Sequence, residues 1–222
     1  MSIHLITGAM FSGKTSALLR SYKTFNVNER LLIKHVDDIR FQNNASFVFS
    51  HIGEKTVAVA VSKLGEISMH DAFYNSLKLI AVDEGHFFDD IYEYASQWAL
   101  HGKNVIITGL CRDILLRPLP AISRLIAVAD DVTFLTSKCS LCTRTAGFNY
   151  QKTALPETTN LVEKYRGTAD DYSALCRTCF YKRTREDCSN KTGMFIDQQL
   201  RIQAEQMITL DITKGVNVQE ST

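Results

Sequence analysis

The sequence lacks the charge excess that is typical of proteins bound to nucleic acid or to anionic membranes. Its 222 residues carry a formal net charge of +1, so no general electrostatic attraction to a polyanion is expected. No apolar stretch approaches the roughly 20 residues needed to span a bilayer. The N-terminus has no basic region ahead of its apolar residues, as a secretory signal would have. These absences predict a cytoplasmic protein with no membrane partner, in which paired cysteines are more often metal ligands than disulfides.

Internal repeats and low-complexity tracts are also missing. The composition is that of an ordinary globular protein, with 45% apolar and 22% charged residues. The first two thirds of the chain alternate short β-branched runs with helical patterns, which predicts a parallel sheet covered by helices. The predicted strands are Ile3–Thr7, Arg30–His35, Leu77–Asp83, Val105–Gly109 and Val132–Thr136, and the predicted helices are Ser16–Phe25, Ile91–Leu100 and Ala121–Ala129.

The pattern changes after Ser137. From there the chain is rich in Cys, Thr, Arg and Asn and lacks long periodic segments, which predicts a small appended domain. The last stretch shows only moderate periodicity, typical of one or two helices that trail into a loose tail. The predicted organisation is therefore an α/β domain over residues 1–136, a small domain over 137–190 and a tail over 191–222.

A phosphate-binding motif follows the first predicted strand. Residues Gly8 to Thr15 match G-x-x-x-x-G-K-[ST] in full and lie between that strand and a predicted helix, the context that such a loop requires. The glycines let backbone N–H groups turn towards phosphate oxygens, and the helix adds its positive end. We expect Lys14 to reach the β- and γ-phosphates of ATP and the Thr15 hydroxyl to bind Mg²⁺. The predicted fold class is thus a P-loop NTPase-like α/β sheet.

An acidic pair ends the apolar strand that precedes Gly85. Asp83 has the position of a Walker B aspartate, which holds Mg²⁺ opposite the P-loop threonine. Glu84 points elsewhere if the strand persists, because consecutive residues face opposite sides. It is a candidate base for an acceptor hydroxyl, or for water in an ATPase. A purely structural role, as cap of the following helix, also remains open.

Two C-x-x-C pairs lie in the predicted small domain, separated by 33 residues. Four thiolates supplied in this way suit a closed tetrahedral Zn²⁺ site with a structural role. The separation exceeds the usual range of roughly 15–20 residues, so the chain between the pairs must loop out. Redox dithiols are the alternative, but neither pair starts a thioredoxin-like helix. The predicted zinc ligands are Cys139, Cys142, Cys176 and Cys179, while Cys111 and Cys188 have no partner spacing.

Together these motifs resemble the zinc-containing type II thymidine kinases. The likeness covers roughly residues 1–185 and includes the segment Val82–Asp90 and the K-x-x-x-D-x-R pattern from Lys34 to Arg40. The resemblance implies ATP- and Mg²⁺-dependent phosphorylation of the 5′-hydroxyl of thymidine or deoxyuridine, with Glu84 as the base. It also implies a homotetramer, and a loop between Cys142 and Cys176 that folds over the nucleoside.

The same resemblance implies the residues of each subsite. The nucleotide-binding residues would be Gly8, Ala9, Met10, Phe11, Ser12, Gly13, Lys14, Thr15, Asp38, Arg40, Asp83, Glu84, Gly85 and His86. The nucleoside would contact Met10, Phe87, Leu110, Ile114, Phe148, Tyr165, Gly167 and Tyr172.

Several positions depart from the family pattern. His86 stands where Gln is usual and Ala9 where Pro is usual, and a usual double glycine reads Gly167-Thr168. The L-D-G-T-F-Q segment reads Leu110 to Leu115, so Ile114 replaces the aromatic residue expected in the nucleoside pocket. These changes leave the donor chemistry intact and bear on the choice of nucleobase. His86 is expected either to bond to backbone or to touch the ligand.

Two other functions compete with nucleoside phosphorylation. Basic residues beside the second cysteine pair would fit a nucleic-acid-dependent ATPase, but Ser137–Asp187 holds nine basic and six acidic residues, a weak excess. Nucleic acid is therefore not an expected partner. The changes within Cys111–Leu115 motivate the other alternative, a nucleotide-binding protein without catalytic activity. The basic residues are Arg177, Lys182, Arg183 and Arg185.

Overall fold

A computed structural model describes residues 1–38, 47–49, 53, 55–70, 72–114, 116–152 and 171–189. The strands of this part are β1 Ser2–Gly8, β2 Arg30–His35, β3 Phe47–Phe49, β4 Lys55–Val57, β5 Val59–Val61, β6 Leu79–Val82, β7 Asn104–Gly109, β8 Asp131–Leu135, β9 Ser137–Lys138, β10 Thr145–Ala146, β11 Phe148–Gln151 and β12 Tyr172–Leu175. Its α-helices are α1 Lys14–Lys23, α2 Ala72–Ser76, α3 Ile91–Leu100, α4 Pro120–Ile126 and α5 Arg177–Ser189. Short 3₁₀ turns cover Val27–Glu29, Leu64–Glu66 and Gly85–Phe87.

A six-stranded sheet forms the centre of the larger part of the chain, in the order β5-β2-β6-β7-β1-β8. All of its strand pairs are parallel, so the predicted fold class is confirmed. β7 lies between the P-loop strand β1 and the acidic strand β6. Because parallel strands end at one edge, the segments that follow β1, β6 and β7 meet there, where ligands of open α/β sheets bind.

The two faces of the sheet carry separate apolar clusters. Leu5 packs on one face with the buried Trp98 of α3, and its neighbour Ile6 packs on the other with Leu18 and Leu19 of α1. This alternation follows from the two-residue period of a strand. On β7, Ile107 belongs to the α3 face and Ile106 to the α1 face. Residues two positions further along a strand keep the same face.

The chain after β8 forms a smaller unit with two antiparallel strand pairs, β9 with β10 and β11 with β12. Its apolar core contains Phe148 and Phe180 next to the four paired cysteines. The 13-residue helix α5 of this unit was not predicted from the sequence. Within the part of α5 whose burial is described, up to Arg185, Phe180 and Thr184 are the buried positions after the cysteines, a stripe too narrow to give a clear helical pattern.

Element boundaries shift by a few residues, and β3, β4, β5 and α2 were not predicted from the sequence. These elements are three to five residues long, too short for periodicity to reveal them. In the described ranges, no helix is both long and apolar enough to cross a membrane. Arg40, Tyr165, Gly167 and the predicted tail lie outside the described residues. The division at residues 136 and 190 remains a prediction.

Candidate active site

The P-loop connects β1 to α1, and steric constraints explain why its two motif positions are glycine. A Cβ atom on Gly8 would lie 2.0 Å from the carbonyl oxygen of Leu135, so β8 leaves no room for a side chain. Gly13 takes a left-handed conformation, with φ of 86°, immediately before the helix, which side chains disfavour. The loop geometry therefore depends on close packing against β8.

Replacing Gly8 by alanine is expected to lower the free energy of unfolding by about 3 kcal/mol, because the clash is with backbone. Gly147→Ala is the matched control, since no atom lies within 4 Å of the added Cβ and such a site should change by less than about 0.5 kcal/mol. Urea denaturation of both variants measures the difference. Equal stability of the two would contradict the packing of the loop against β8.

Lys14 and Thr15 are buried at the start of α1. Lys14 Nζ donates a hydrogen bond to the carbonyl oxygen of Ala9 at 2.9 Å, so its ammonium lies over the P-loop. The Thr15 hydroxyl lies 3.1 and 3.3 Å from the two carboxylate oxygens of Asp83. The predicted partners for Mg²⁺ are thus brought together from segments 68 residues apart.

Thr108 joins this pair from β7. Its hydroxyl donates to Asp83 Oδ1 at 2.6 Å and accepts the backbone N–H of Glu84 at 3.0 Å. Thr108 belongs to no sequence motif of the chain. A polar residue near the end of the apolar strand β7 was the available signal, but only the strand order places it between the P-loop and Asp83.

Glu84 is 8% exposed and has φ of 49° and ψ of 50°. This left-handed conformation is unusual for a residue with a side chain and costs roughly 1–2 kcal/mol. No side-chain cap hydrogen bond from Glu84 to the 3₁₀ turn is present, so the capping role has no support. Non-glycine residues held in such conformations cluster at active sites.

His86 lies against Glu84. Its Nδ1 accepts the backbone N–H of Leu110 at 3.3 Å and is 3.3 Å from Glu84 Oε2. The ring is buried and stacks on Phe87, with centroids 4.6 Å apart. The expected contact with backbone is present, and the contact with the ligand stays a prediction.

An apolar cluster stands beside these polar groups. The buried side chains of Leu110, Leu119 and Tyr172 pack together, with Met10, Phe11 and Ile114 against them. Burial raises the pKa of the Tyr172 phenol, and Asp171 adds to this effect. Met10, Leu110, Ile114 and Tyr172, four of the residues predicted to contact the nucleoside, therefore share one wall.

Other predicted site residues lie elsewhere. Phe148 packs in the core of the smaller unit, 5.5 Å from the ring of Phe180, with the guanidinium groups of Arg112 and Arg177 over its ring. Asp38 lies beside Lys34, whose Nζ is 3.8 Å from Asp38 Oδ2 and donates to the Asp38 carbonyl at 3.0 Å. The ring of Phe87 stacks with the rings of both His86 and His35.

Asn149 connects the smaller unit to the P-loop. Its Oδ1 accepts the backbone N–H of Met10 at 2.7 Å, across 139 residues of sequence, and the residue is 3% exposed. No local motif marks Asn149, because the contact arises from how β11 docks on the loop. The position of Met10 therefore depends on the fold of the smaller unit.

The four paired cysteines form one cluster in which all sulfur atoms lie within 4.8 Å of one another. Cys142 Sγ is 3.7 Å from the sulfurs of Cys176 and Cys179. A tetrahedron with metal–sulfur bonds of about 2.3 Å has edges of about 3.8 Å, whereas a disulfide would need about 2.05 Å. The arrangement fits a four-thiolate metal site such as zinc.

The pKa values of the cysteine thiols also bear on metal binding. Hydrogen bonds from Arg144 lower the pKa of the Cys142 thiol to about 6. The hydrogen bond with Cys176 and burial raise the pKa of Cys179 to about 12. Four thiolates this close repel one another, so full ionisation of the cluster requires a cation among them.

Comparison with known proteins agrees with this geometry. The family model described as thymidine kinase matches residues 1–180. A thymidine kinase of Fowlpox virus is 34% identical over 81% of this chain and 97% of its own length. The chain belongs to the thymidine kinase family. Thymidine kinase 1 of Dictyostelium discoideum is 32% identical over 85% of this chain and 82% of its own, and thymidine kinase a of Arabidopsis thaliana is 36% identical over 79% and 73%.

Membership of the thymidine kinase family confirms the resemblance inferred from the motifs. The family match spans the P-loop, the acidic pair and both cysteine pairs, so the features described above belong to one matched segment. It does not favour the nucleic-acid-dependent ATPase or the inactive nucleotide-binding protein. The match ends within α5, at residue 180.

Proposed function

We propose that this protein transfers the γ-phosphoryl group of ATP to the 5′-hydroxyl of a deoxynucleoside, thymidine or deoxyuridine, and releases the monophosphate. One observation carries the proposal. His86 contacts both Glu84 and the backbone of Leu110, which packs with Met10 and Tyr172 in the apolar wall, in a chain of the thymidine kinase family.

On the donor side, Lys14 and the P-loop N–H groups bind the β- and γ-phosphates. Thr15 and Asp83 would hold Mg²⁺, which neutralises the charge on the phosphate oxygens. Phosphoryl transfer needs little covalent help from the protein, so positioning and charge stabilisation supply most of the rate.

On the acceptor side, the apolar wall orients the nucleobase and Glu84 accepts the proton of the 5′-hydroxyl as the oxygen attacks phosphorus. Ile114 presents a smaller surface to the nucleoside than an aromatic ring would, and this difference affects which nucleobase is preferred. Contacts of the nucleoside with Phe87, Phe148, Tyr165 and Gly167, and of the nucleotide with Asp38 and Arg40, are part of the same proposal.

The cysteine cluster is proposed to bind one structural zinc ion, because its sulfur spacing fits a tetrahedral site with no open position. A cytoplasmic location and a homotetrameric state are proposed with the function. One relative, from Cricetulus griseus, is described as a cytosolic thymidine kinase.

A nucleoside panel tests the proposal. With Mg²⁺ and ATP, thymidine or deoxyuridine should yield one ADP and one 5′-monophosphate per turnover, detected by chromatography. A thymidine analogue without the 5′-hydroxyl should yield neither, since the reacting oxygen is missing. If no deoxynucleoside in the panel is phosphorylated under these conditions, the proposal is wrong.

A further inference from the structure

Thr108 lies at the centre of the site yet belongs to none of its motifs. It is the penultimate residue of β7 and is fully buried, with 0% exposure. β7 separates β1 from β6 in the sheet, and Thr108 pairs with Ile6 of β1. Like Ile106, two positions earlier, it faces the side of the sheet covered by α1. That face also carries Asp83, two positions after Ala81.

The hydroxyl of Thr108 has one proton, which it donates in a hydrogen bond to Asp83. An ionised carboxylate only accepts hydrogen bonds, and the 2.6 Å separation from Asp83 Oδ1 is that of a charge-assisted O–H···O⁻ bond. A lone pair on the same oxygen accepts the Glu84 N–H at 3.0 Å. One hydroxyl thus connects the proposed metal ligand with the backbone of the proposed base.

The backbone around these residues explains why that connection matters. Asp83 N–H donates to the Ile33 carbonyl at 2.9 Å, so β2 holds the chain up to Asp83. The next residue, Glu84, turns into the left-handed region and leaves the sheet ladder. Its N–H is held by the Thr108 side chain instead of by a backbone carbonyl. Without the hydroxyl, a buried N–H would lose this acceptor, and the strained turn would relax.

We propose that Thr108 is a positioning residue, which fixes the Asp83 carboxylate for the magnesium–nucleotide complex and the Glu84 turn for the acceptor hydroxyl. The expected effect of Thr108 on kcat rests on the proposed function. The structural part of the inference, the orientation of Asp83, is independent of which nucleoside reacts.

Three variants test the proposal. Thr108→Val removes the hydroxyl at nearly constant shape, Thr108→Ser keeps it, and Thr7→Val is the matched control. Thr7 is also fully buried on a neighbouring strand, and its hydroxyl donates to the Gly109 carbonyl. Loss of a hydrogen bond to a charged group predicts a fall in kcat of about 10- to 100-fold for Thr108→Val. Thr108→Ser should recover most of this loss, and Thr7→Val should retain wild-type kcat.

Calorimetric binding of ATP, with Mg²⁺ and with EDTA, gives a readout separate from turnover. Mg²⁺ should raise the ATP affinity of the wild type. In Thr108→Val this increase should be smaller by about tenfold, because the ionised Asp83 carboxylate loses a hydrogen bond. Affinity in EDTA should stay unchanged, since Lys14 and the P-loop are intact. A merely structural role would weaken both affinities equally and would not be rescued by serine.

The outcomes separate this inference from the proposed function. If the wild type phosphorylates no nucleoside, the proposed function fails, and the calorimetric measurement still decides the role of Thr108. If the wild type is active, and Thr108→Val has the same kcat and the same increase in ATP affinity with Mg²⁺, the inference is overturned. Should Thr108→Val fail to fold by circular dichroism, Thr108→Cys replaces it, because a thiol of similar size is a weak hydrogen-bonding group. Wild-type behaviour of that variant would overturn the inference equally.

Discussion

Glu84→Gln is expected to lower kcat for nucleoside phosphorylation by about 10³-fold while leaving the KM for ATP nearly unchanged. An amide of the same shape keeps the packing but cannot accept a proton, and general base catalysis contributes roughly 10²–10⁴-fold. The proposed ATP site depends instead on Lys14, which bonds to the Ala9 carbonyl, and on the Thr15–Asp83 pair. Steady-state kinetics with the best nucleoside of the panel measures both parameters.

The matched control for this variant is Glu93→Gln. Glu93 forms a surface ion pair with Arg124 at 2.7 Å, and exposed pairs of this kind contribute at most about 1 kcal/mol. It should therefore keep wild-type kinetics. Full activity of Glu84→Gln would remove Glu84 as the base. Rapid ATP hydrolysis by the wild type without nucleoside, lost in Glu84→Gln, would instead favour the water-activating role.

The parts of this site that could be predicted from sequence are those encoded by short spacing. The P-loop, the Asp83–Glu84 dipeptide and the cysteine pairs each lie within eight consecutive residues or fewer, so covalent geometry alone brings their groups together. Short runs of apolar, β-branched residues also predicted the main strands, because the strands of a parallel sheet are buried on both faces.

Thr108 and Asn149 could not be predicted in this way. Thr108 meets Asp83 across 25 residues because β7 is inserted between β1 and β6, and a single sequence does not specify strand order. Asn149 meets the P-loop across 139 residues because the smaller unit docks there. The nucleoside contact that the family pattern implies for Phe148 stays a prediction; the side chain packs against Phe180, with the guanidinium groups of two arginines over its ring.

Because the smaller unit contacts the P-loop, removal of the proposed zinc ion is also expected to have a large effect on activity. Cys176→Ala is expected to abolish zinc binding, which metal analysis should find at one ion per chain in the wild type. Removal of one thiolate leaves three sulfurs that repel one another, and small metal-bound units lose their fold without the ion. The core around Phe148 and Phe180 includes the cysteines themselves, so little apolar packing remains to replace the metal.

Loss of this fold should reach the active site by two routes. Asn149 would no longer hold the Met10 N–H, and Tyr172, at the start of β12, would leave the wall that it shares with Leu110. We therefore expect kcat/KM for the nucleoside to fall by more than about 100-fold, a size that loss of positioning alone can produce. ATP binding should weaken far less, because Lys14, Thr15 and Asp83 are held by the central sheet.

Cys111→Ala is the matched control, since Cys111 lies outside the cysteine cluster. It should retain the zinc ion and the nucleoside kinetics of the wild type. Zinc content, nucleoside kinetics and calorimetric ATP binding are measured on the same preparations of all three proteins. If Cys176→Ala kept one zinc ion, the four-thiolate site would be wrong. If it lost the ion but kept nucleoside turnover, the contacts of Asn149 and Tyr172 would not transmit the fold of the smaller unit to the P-loop.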